Sequence, residues 1–244
     1  MRTLLVALFL LLFFIISIPL YLIILIIGLF SPYQKAKISQ KIVSIVCKII
    51  LFLSGVKLTV MGDSNIPKDE SALFVFNHRS YYDILVSYAS LPKMSAFIAK
   101  KELKRFPFIN VWMYFINSLF IDRDDIRQSL KIILQAIEMV KGGYSIFISP
   151  EGTRNRKEGL LPFKEGSFKI AEKTSCPVIP VSINNADGVF EKHVPWVKKA
   201  HVIVEYGKPI YPKDLDRDIH KSLAKYVQGI IADTLEKNEA SLEF

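Results

Sequence analysis

Hydrophobic and polar positions divide the chain into two unlike parts. Residues 4–30 form one apolar run without a charge. A helix of that length spans about 40 Å, enough to cross or deeply enter a bilayer. Pro19 lies inside the run and predicts a kink. The run is too long for the apolar core of a cleaved signal peptide, and no small-x-small site ends it. Ser31-Pro32 breaks it.

Residues 33–54 predict a second helix with two faces. At about 100° per residue, Gln34, Lys37, Lys41, Ser44 and Lys48 fall on one side. Ile38, Ile42, Ile45, Val46, Ile49 and Leu53 fall opposite. A basic amphipathic helix of this kind lies in a membrane interface, its lysines near anionic head groups. A helix packed on a globular core shows the same pattern. The neighbouring apolar run favours the membrane. Residues 1–54 are therefore expected to be a two-helix membrane-anchoring segment. Lys35, Lys37 and Lys41 flank the long run, which places that end, and the rest of the chain, on the cytoplasmic face of the cell's inner membrane.

From Gly55 the period changes. Val56, Leu58 and Val60 alternate like a strand. Further strands are predicted at residues 72–76, 94–99, 119–121, 144–148 and 178–183. Residues 201–206 alternate like an edge strand. Helices are predicted at 84–89, 106–115, 125–141, 163–171 and, as a charged closing helix, 213–237. In the 125–141 helix the apolar stripe is Ile126, Leu130, Ile133, Leu134, Ile137 and Val140. The aromatic 106–115 segment reads either as core or as an acyl-chain or membrane contact. Strands alternating with helices predict an α/β domain over residues 55–244, with a mixed, mainly parallel central sheet flanked by helices.

Two strand ends carry chemistry. The 72–76 strand runs into Asn77-His78-Arg79-Ser80-Tyr81-Tyr82-Asp83, and a helix follows. The turn between them can fold Asp83 back onto the imidazole. A carboxylate on one ring nitrogen fixes the tautomer and leaves the other as a base. The same Asp is equally placed to cap the helix. No serine nucleophile is evident, so the base is expected to act directly on a substrate hydroxyl; Ser80 is the one rival. The 144–148 strand delivers Ser149-Pro150-Glu151-Gly152-Thr153-Arg154, where Gly152 lets backbone approach a ligand.

Together these motifs resemble the glycerolipid acyltransferases, and within them the lysophosphatidic acid acyltransferases. Asn77, His78 and Asp83 match the Asn-His-x4-Asp motif. Pro150 to Arg154 match Phe-Pro-Glu-Gly-Thr-Arg, with Ser149 in place of Phe. Phe120, Ile121 and Arg123 match Gly-x-x-Phe-Ile-x-Arg, with Asn117 in place of Gly. Ile179-Pro180-Val181 matches Val-Pro-Val. The likeness covers roughly residues 56–210, in the expected order. It implies acyl transfer from a thioester, on CoA or acyl carrier protein, to 1-acyl-glycerol-3-phosphate, giving phosphatidic acid. His78 would be the base and Asp83 its support. Arg154 and Arg123 would bind phosphate, because guanidinium makes bidentate, charge-assisted bonds. Asn77, Glu151, Gly152 and Thr153 would complete the acceptor site, although Glu151 is equally placed to hold Arg154. Arg79 and Lys100 are further basic candidates. No metal or bound cofactor is implied. Glycerol-3-phosphate or another lysophospholipid as acceptor, a thioesterase, and a membrane-anchored phospholipid-binding protein are the alternatives.

Composition narrows the picture a little. The formal net charge is +9, which fits anionic lipid surfaces and phosphate-bearing substrates. No nucleic-acid motif is present. Cys47 and Cys176 are far apart and imply no disulfide framework. No Cys/His cluster has metal spacing. Walker, GxGxxG and GxSxG loops are absent.

Overall fold

The computed structural model describes residues 1–91 and 93–242. The apolar run is one helix, α1 (Arg2–Phe30), which continues through Pro19. Ser31 then caps the next helix, its hydroxyl accepting from the Gln34 amide. Pro32 occupies the first helical turn of α2 (Pro32–Ser54), where its missing N–H costs nothing. Gly55 ends α2 at φ 73°, a left-handed position that suits glycine.

Seven strands follow: β1 (Val56–Met61), β2 (Leu73–Phe76), β3 (Ser95–Lys100), β4 (Leu119–Ile121), β5 (Ser145–Ile148), β6 (Val178–Asn184) and β7 (Ala200–Tyr206). Between and after them run α3 (Tyr82–Ala89), α4 (Ile109–Phe115), α5 (Ile126–Lys141), α6 (Lys169–Thr174), α7 (Arg217–Lys221) and α8 (Leu223–Glu239). The sheet order is β1-β7-β6-β2-β5-β3-β4. Only β6 and β7 pair antiparallel; the other neighbours are parallel. This is the mixed, mainly parallel sheet that the strand–helix alternation predicts.

Helices cover both faces, so the central strands are apolar on both sides. On one face Phe74, Phe76, Phe97 and Phe147 pack with Val86 of α3 and with Cys47, Ile50 and Leu51 of α2. On the other, Leu73, Val75, Ile146 and Ile148 meet Ile133 and Ile137 of α5 and Val227 and Ile231 of α8.

Helix α2 corrects the simple two-faced picture. Lys37, Lys41 and Lys48 are exposed as expected. A third strip, Ala36, Ser39, Gln40, Cys47, Ile50, Leu51 and Ser54, is buried. Two of its polar members, Gln40 and Ser54, are bonded to the domain. Gln40 donates to the Lys93 carbonyl and accepts from the Ser95 amide, and Ser54 pairs with Tyr82 at 2.7 Å. Each buried Ile or Leu there contributes about 1.5–3 kcal/mol. No packing boundary therefore falls at residue 54: residues of α1 and α2 share a core with the sheet. Of the two helices, α1 alone has the length and apolarity of a membrane span.

Three other expectations change. Strand β7 is no edge strand: it lies between β1 and β6, and β1 forms that edge. Local alternation could not reveal that the chain's first strand returns to pair beside its last. The closing helix is two, α7 and α8, broken at Ser222. In α5 the predicted stripe is only half buried; Ile126, Leu130 and Leu134 are exposed, while Ile132 and Ala136 are buried instead.

Candidate active site

Parallel β2, β5, β3 and β4 all end on one side of the sheet, the usual place for ligands in open α/β folds. At the end of β2, Asn77 continues the ladder with its side chain. It donates to the Ile183 carbonyl and accepts from the Ile183 amide at 2.9 and 2.8 Å. Asn77 is fully buried and positions the turn rather than facing a ligand.

The turn then folds back as its sequence predicts. Oδ2 of Asp83 lies 2.8 Å from Nδ1 of His78. The same oxygen accepts from the amides of Arg79 and Ser80, each at 2.7 Å. Asp83 is therefore both the partner of the histidine and the acidic group in the first turn of α3, where a helix favours negative charge. Pairing with a carboxylate puts the ring proton on Nδ1 and leaves Nε2 free as a base. His78 is 16% exposed and Asp83 1%, so the base is accessible and its support is not.

Glu151, at the end of β5, braces this turn from behind. Its Oε1 accepts from the His78 amide at 2.7 Å and its Oε2 from the Leu161 amide at 2.9 Å. Both oxygens are spent on backbone, and no bond joins Glu151 to Arg154. Burial raises the Glu151 carboxyl above its ordinary range, against the pull of these two amides. Asn155 completes the grip, its amide donating to the His78 carbonyl at 2.7 Å. Gly152 adopts φ 76°, and a Cβ there would come 2.9 Å from Nζ of Lys164. Its glycine is required by the turn itself. Thr153 is exposed.

Arg154 lies over the ring of Tyr81 at 3.8 Å and donates to the Tyr81 hydroxyl at 3.1 Å. Its other nitrogen is 3.4 Å from Glu191. Glu191 in turn accepts from the Ser80 hydroxyl and the Tyr81 amide, at 2.5 and 2.7 Å. Arg79 donates to the Lys157 carbonyl at 2.7 Å. Arg79, Arg154, Arg156, Lys157 and Lys192 line a cleft of about 610 Å³ together with Glu158, Asp187 and Glu191.

The structure thus gathers His78, Asp83, Arg79, Glu151 and Arg154. Lys100 and Arg123 share the sheet edge but stand apart. They end β3 and β4, and β4 is three strand spacings, about 14 Å, from β2. Lys100 pairs with Glu102 at 3.2 Å. Burial lowers the Arg123 guanidinium, and Glu102 opposes the shift. Sequence reasoning missed Glu191, Tyr81 and Asn155. Tyr81 lies inside the first motif and Asn155 directly follows the second. Glu191 lies in the connection after β6, and nothing in its local sequence links it to Ser80. Among the described residues no cluster of three or more His, Cys, Asp or Glu is built to hold a metal.

Comparison with known proteins places the whole chain in a family. Residues 57–184 match the Acyltransferase family model. A 1-acyl-sn-glycerol-3-phosphate acyltransferase of Borreliella burgdorferi is 36% identical over 147 residues, 60% of this chain and 59% of that protein. The match to this relative therefore spans about three fifths of the relative's length. One from Haemophilus influenzae is 30% identical over 74% of this chain and 75% of its own. The crystal structure of PlsC, the 1-acyl-sn-glycerophosphate (LPA) acyltransferase of Thermotoga maritima, superposes with a TM-score of 0.76 at 28% identity, covering 98% of both chains. A family model across more than half of the sequence and a solved relative matching nearly all of the fold lead to one conclusion: the chain belongs to the acyltransferase family.

Proposed function

We propose that this chain transfers an acyl group from a thioester to the free hydroxyl of 1-acyl-glycerol-3-phosphate, giving phosphatidic acid. The observation that carries the mechanism is the 2.8 Å His78–Asp83 pair with Nε2 left free. Nε2 takes the proton of the acceptor hydroxyl as its oxygen attacks the thioester carbonyl. The tetrahedral intermediate collapses, the carbon–sulfur bond breaks, and the imidazolium returns the proton to the leaving thiolate. Asp83 supports the imidazolium between these steps. The donor is an acyl thioester of CoA or of acyl carrier protein.

Phosphate recognition falls to Arg154, with Arg79 beside it; Arg123 and Lys100 form a second basic group at the β3–β4 end. Amides of His78, Arg79, Ser80 and Tyr81 are already spent on Glu151, Asp83 and Glu191. The amides of Thr153 and Arg154 have no partner among the described residues and are the donors we assign to the oxyanion.

Residues 1–54 serve as the anchor, holding the domain on the cytoplasmic face of the inner membrane. Contacts between α1 and the domain run from Thr3, bonded by the Val197 amide, to Ile24, packed on Trp112 and Phe115. That is about 30 Å of helix at 1.5 Å per residue. The domain lies alongside α1, so the helix enters the membrane by its outer face rather than crossing alone.

The test is product analysis. Purified protein is incubated in micelles with acyl-CoA or acyl-acyl carrier protein, with and without lysophosphatidic acid. Phosphatidic acid identified by mass is the expected result. Free fatty acid without acceptor consumption would assign a thioesterase instead.

A further inference from the structure

We propose that the loop of residues 193–199 is a second membrane-docking surface, seating Trp196 in the interface of an anionic phospholipid bilayer beside the start of α1. This rests on the membrane attachment argued above and extends it to a part of the chain far from residues 1–54 in sequence.

Trp196 and Val194 are each 62% exposed. They are not on a loose tip. The Trp196 amide donates to the His193 carbonyl at 2.7 Å, and the Lys198 amide to the Val189 carbonyl at 2.9 Å. The Val197 amide donates to the Thr3 hydroxyl at 2.8 Å. Val197, Phe190 and Ala200 pack against the core. The loop is therefore fixed from both sides while its largest apolar ring is held outward. An exposed aromatic that is continuous with further exposed apolar surface marks an interaction site.

Two observations name that partner. The loop adjoins the start of α1, where Leu4, Leu5 and Leu8 are 72%, 41% and 51% exposed. Its exposed apolar surface thus continues the face that enters lipid. Lys198 and Lys199 lie two and three residues after Trp196, both exposed, and neither makes an ion pair among the described residues. Tryptophan seats its amphipathic ring at head-group level, and lysines beside it meet anionic lipid. Each such lysine adds about fivefold to membrane affinity.

The placement bears on catalysis. Lys192 and Val194 also line the cleft that contains Arg154, and Glu191 on the same connection bonds Ser80. A loop seated in head groups brings the cleft mouth to the bilayer, so that the acceptor reaches it without leaving lipid.

Tryptophan fluorescence tests this cleanly, because the chain has two tryptophans and Trp112 is buried. The full chain is reconstituted into phosphatidylcholine vesicles with and without phosphatidylglycerol, and with brominated acyl chains. The Trp196→Phe variant supplies the Trp112 background. We expect bromolipid to quench the Trp196 component and iodide to leave it unaffected, with quenching strongest in anionic vesicles. Lys198→Ala with Lys199→Ala should remove the anionic preference. Iodide quenching of Trp196 without bromolipid quenching overturns the proposal and leaves the face in water or for a soluble protein. The readout needs no substrate. Failure of the wild type to form phosphatidic acid in micelles would sink the functional reading and leave this result standing.

Discussion

Glu191 holds the hydroxyl of Ser80 at 2.5 Å, although the two residues come from the ends of different strands. The same hydroxyl oxygen accepts from the Tyr82 amide at 2.8 Å. Ser80 is fully buried, so its oxygen is bonded on both sides and closed to substrate. It lies two residues from the base, yet it is a structural member of the turn. This favours direct attack by the acceptor over an acyl-enzyme.

Ser80→Ala should therefore keep most of its turnover. The change removes two hydrogen bonds, each worth about 1 kcal/mol net. Melting should fall by several degrees while kcat drops less than about tenfold. Rapid quench with acyl donor alone should trap no label on Ser80. A labelled Ser80 peptide would replace direct attack by a ping-pong route.

Arg154→Ala should raise KM for lysophosphatidic acid and lower kcat/KM by roughly 10- to 1000-fold, since a charge-assisted bond is worth about 1.5–3 kcal/mol or more. Lysine should restore only part. It keeps the charge but loses the planar fork and the stacking on Tyr81. Steady-state kinetics on mixed micelles measures both. An unchanged KM in the alanine variant would shift phosphate binding to Arg123 and Lys100.

The legibility of this chain follows the range of its interactions. His78 and Asp83 are five residues apart, and the turn that joins them is encoded between them, so their contact was readable. The buried strands were readable because a parallel strand covered on both faces is a continuous apolar run, as in residues 73–76. What failed was long-range. Glu191 meets Ser80 across 111 positions, and Asn77 meets Ile183 across 106. The roles of Glu151 and Asn77 as backbone braces were hidden for that reason. Helix α2 misled for another. Its buried strip contains Gln40 and Ser54, polar residues whose partners lie on other elements.

Removal of residues 1–54 tests that shared packing. The truncation strips Cys47, Ile50 and Leu51 from one face of the sheet and leaves the Ser95 amide and Tyr82 hydroxyl without partners. Ile50 and Leu51 each cost about 2–5 kcal/mol when lost, a sum comparable with the whole stability of a usual domain. The truncated chain should be unfolded or molten by near-UV circular dichroism. A cooperative melt near that of the full chain would show that the domain stands alone.

Glu151→Gln should weaken the brace without touching substrate. Glutamine offers one acceptor where two amides need one, so the His78 or Leu161 amide is left unsatisfied at about 1–3 kcal/mol. Turnover should fall with little change in KM. The pH dependence has a defined sign. Burial raises the Glu151 carboxyl, so the folded state binds its proton more tightly than the unfolded state does. Stability from this group is greatest below the ordinary glutamate range and is lost as pH rises through the folded value. Wild type should therefore gain stability over the glutamine variant as pH is lowered from neutral towards that range. Urea melts of both proteins at several pH values measure the difference. A constant difference would show that Glu151 titrates normally.

Asp83→Asn separates orientation from electrostatics. The amide oxygen can take the place of Oδ2 and keep the bonds from His78 Nδ1 and from the Arg79 and Ser80 amides. The amide nitrogen then occupies the place of Oδ1, which is buried and has no partner among the described residues. The turn should stay folded, with a modest loss in melting temperature. The charge that supports the imidazolium is gone, and turnover should fall by about 10²- to 10⁴-fold, the range of general acid–base catalysis. His78→Ala should abolish turnover outright, because the base itself is removed. Asp83→Ala should cost more stability than Asp83→Asn, since two backbone amides lose their acceptor. Kinetics and thermal melts of the three variants decide the matter. Equal activity in Asp83→Asn and wild type would reduce Asp83 to a helix cap and leave His78 to act without a charged partner.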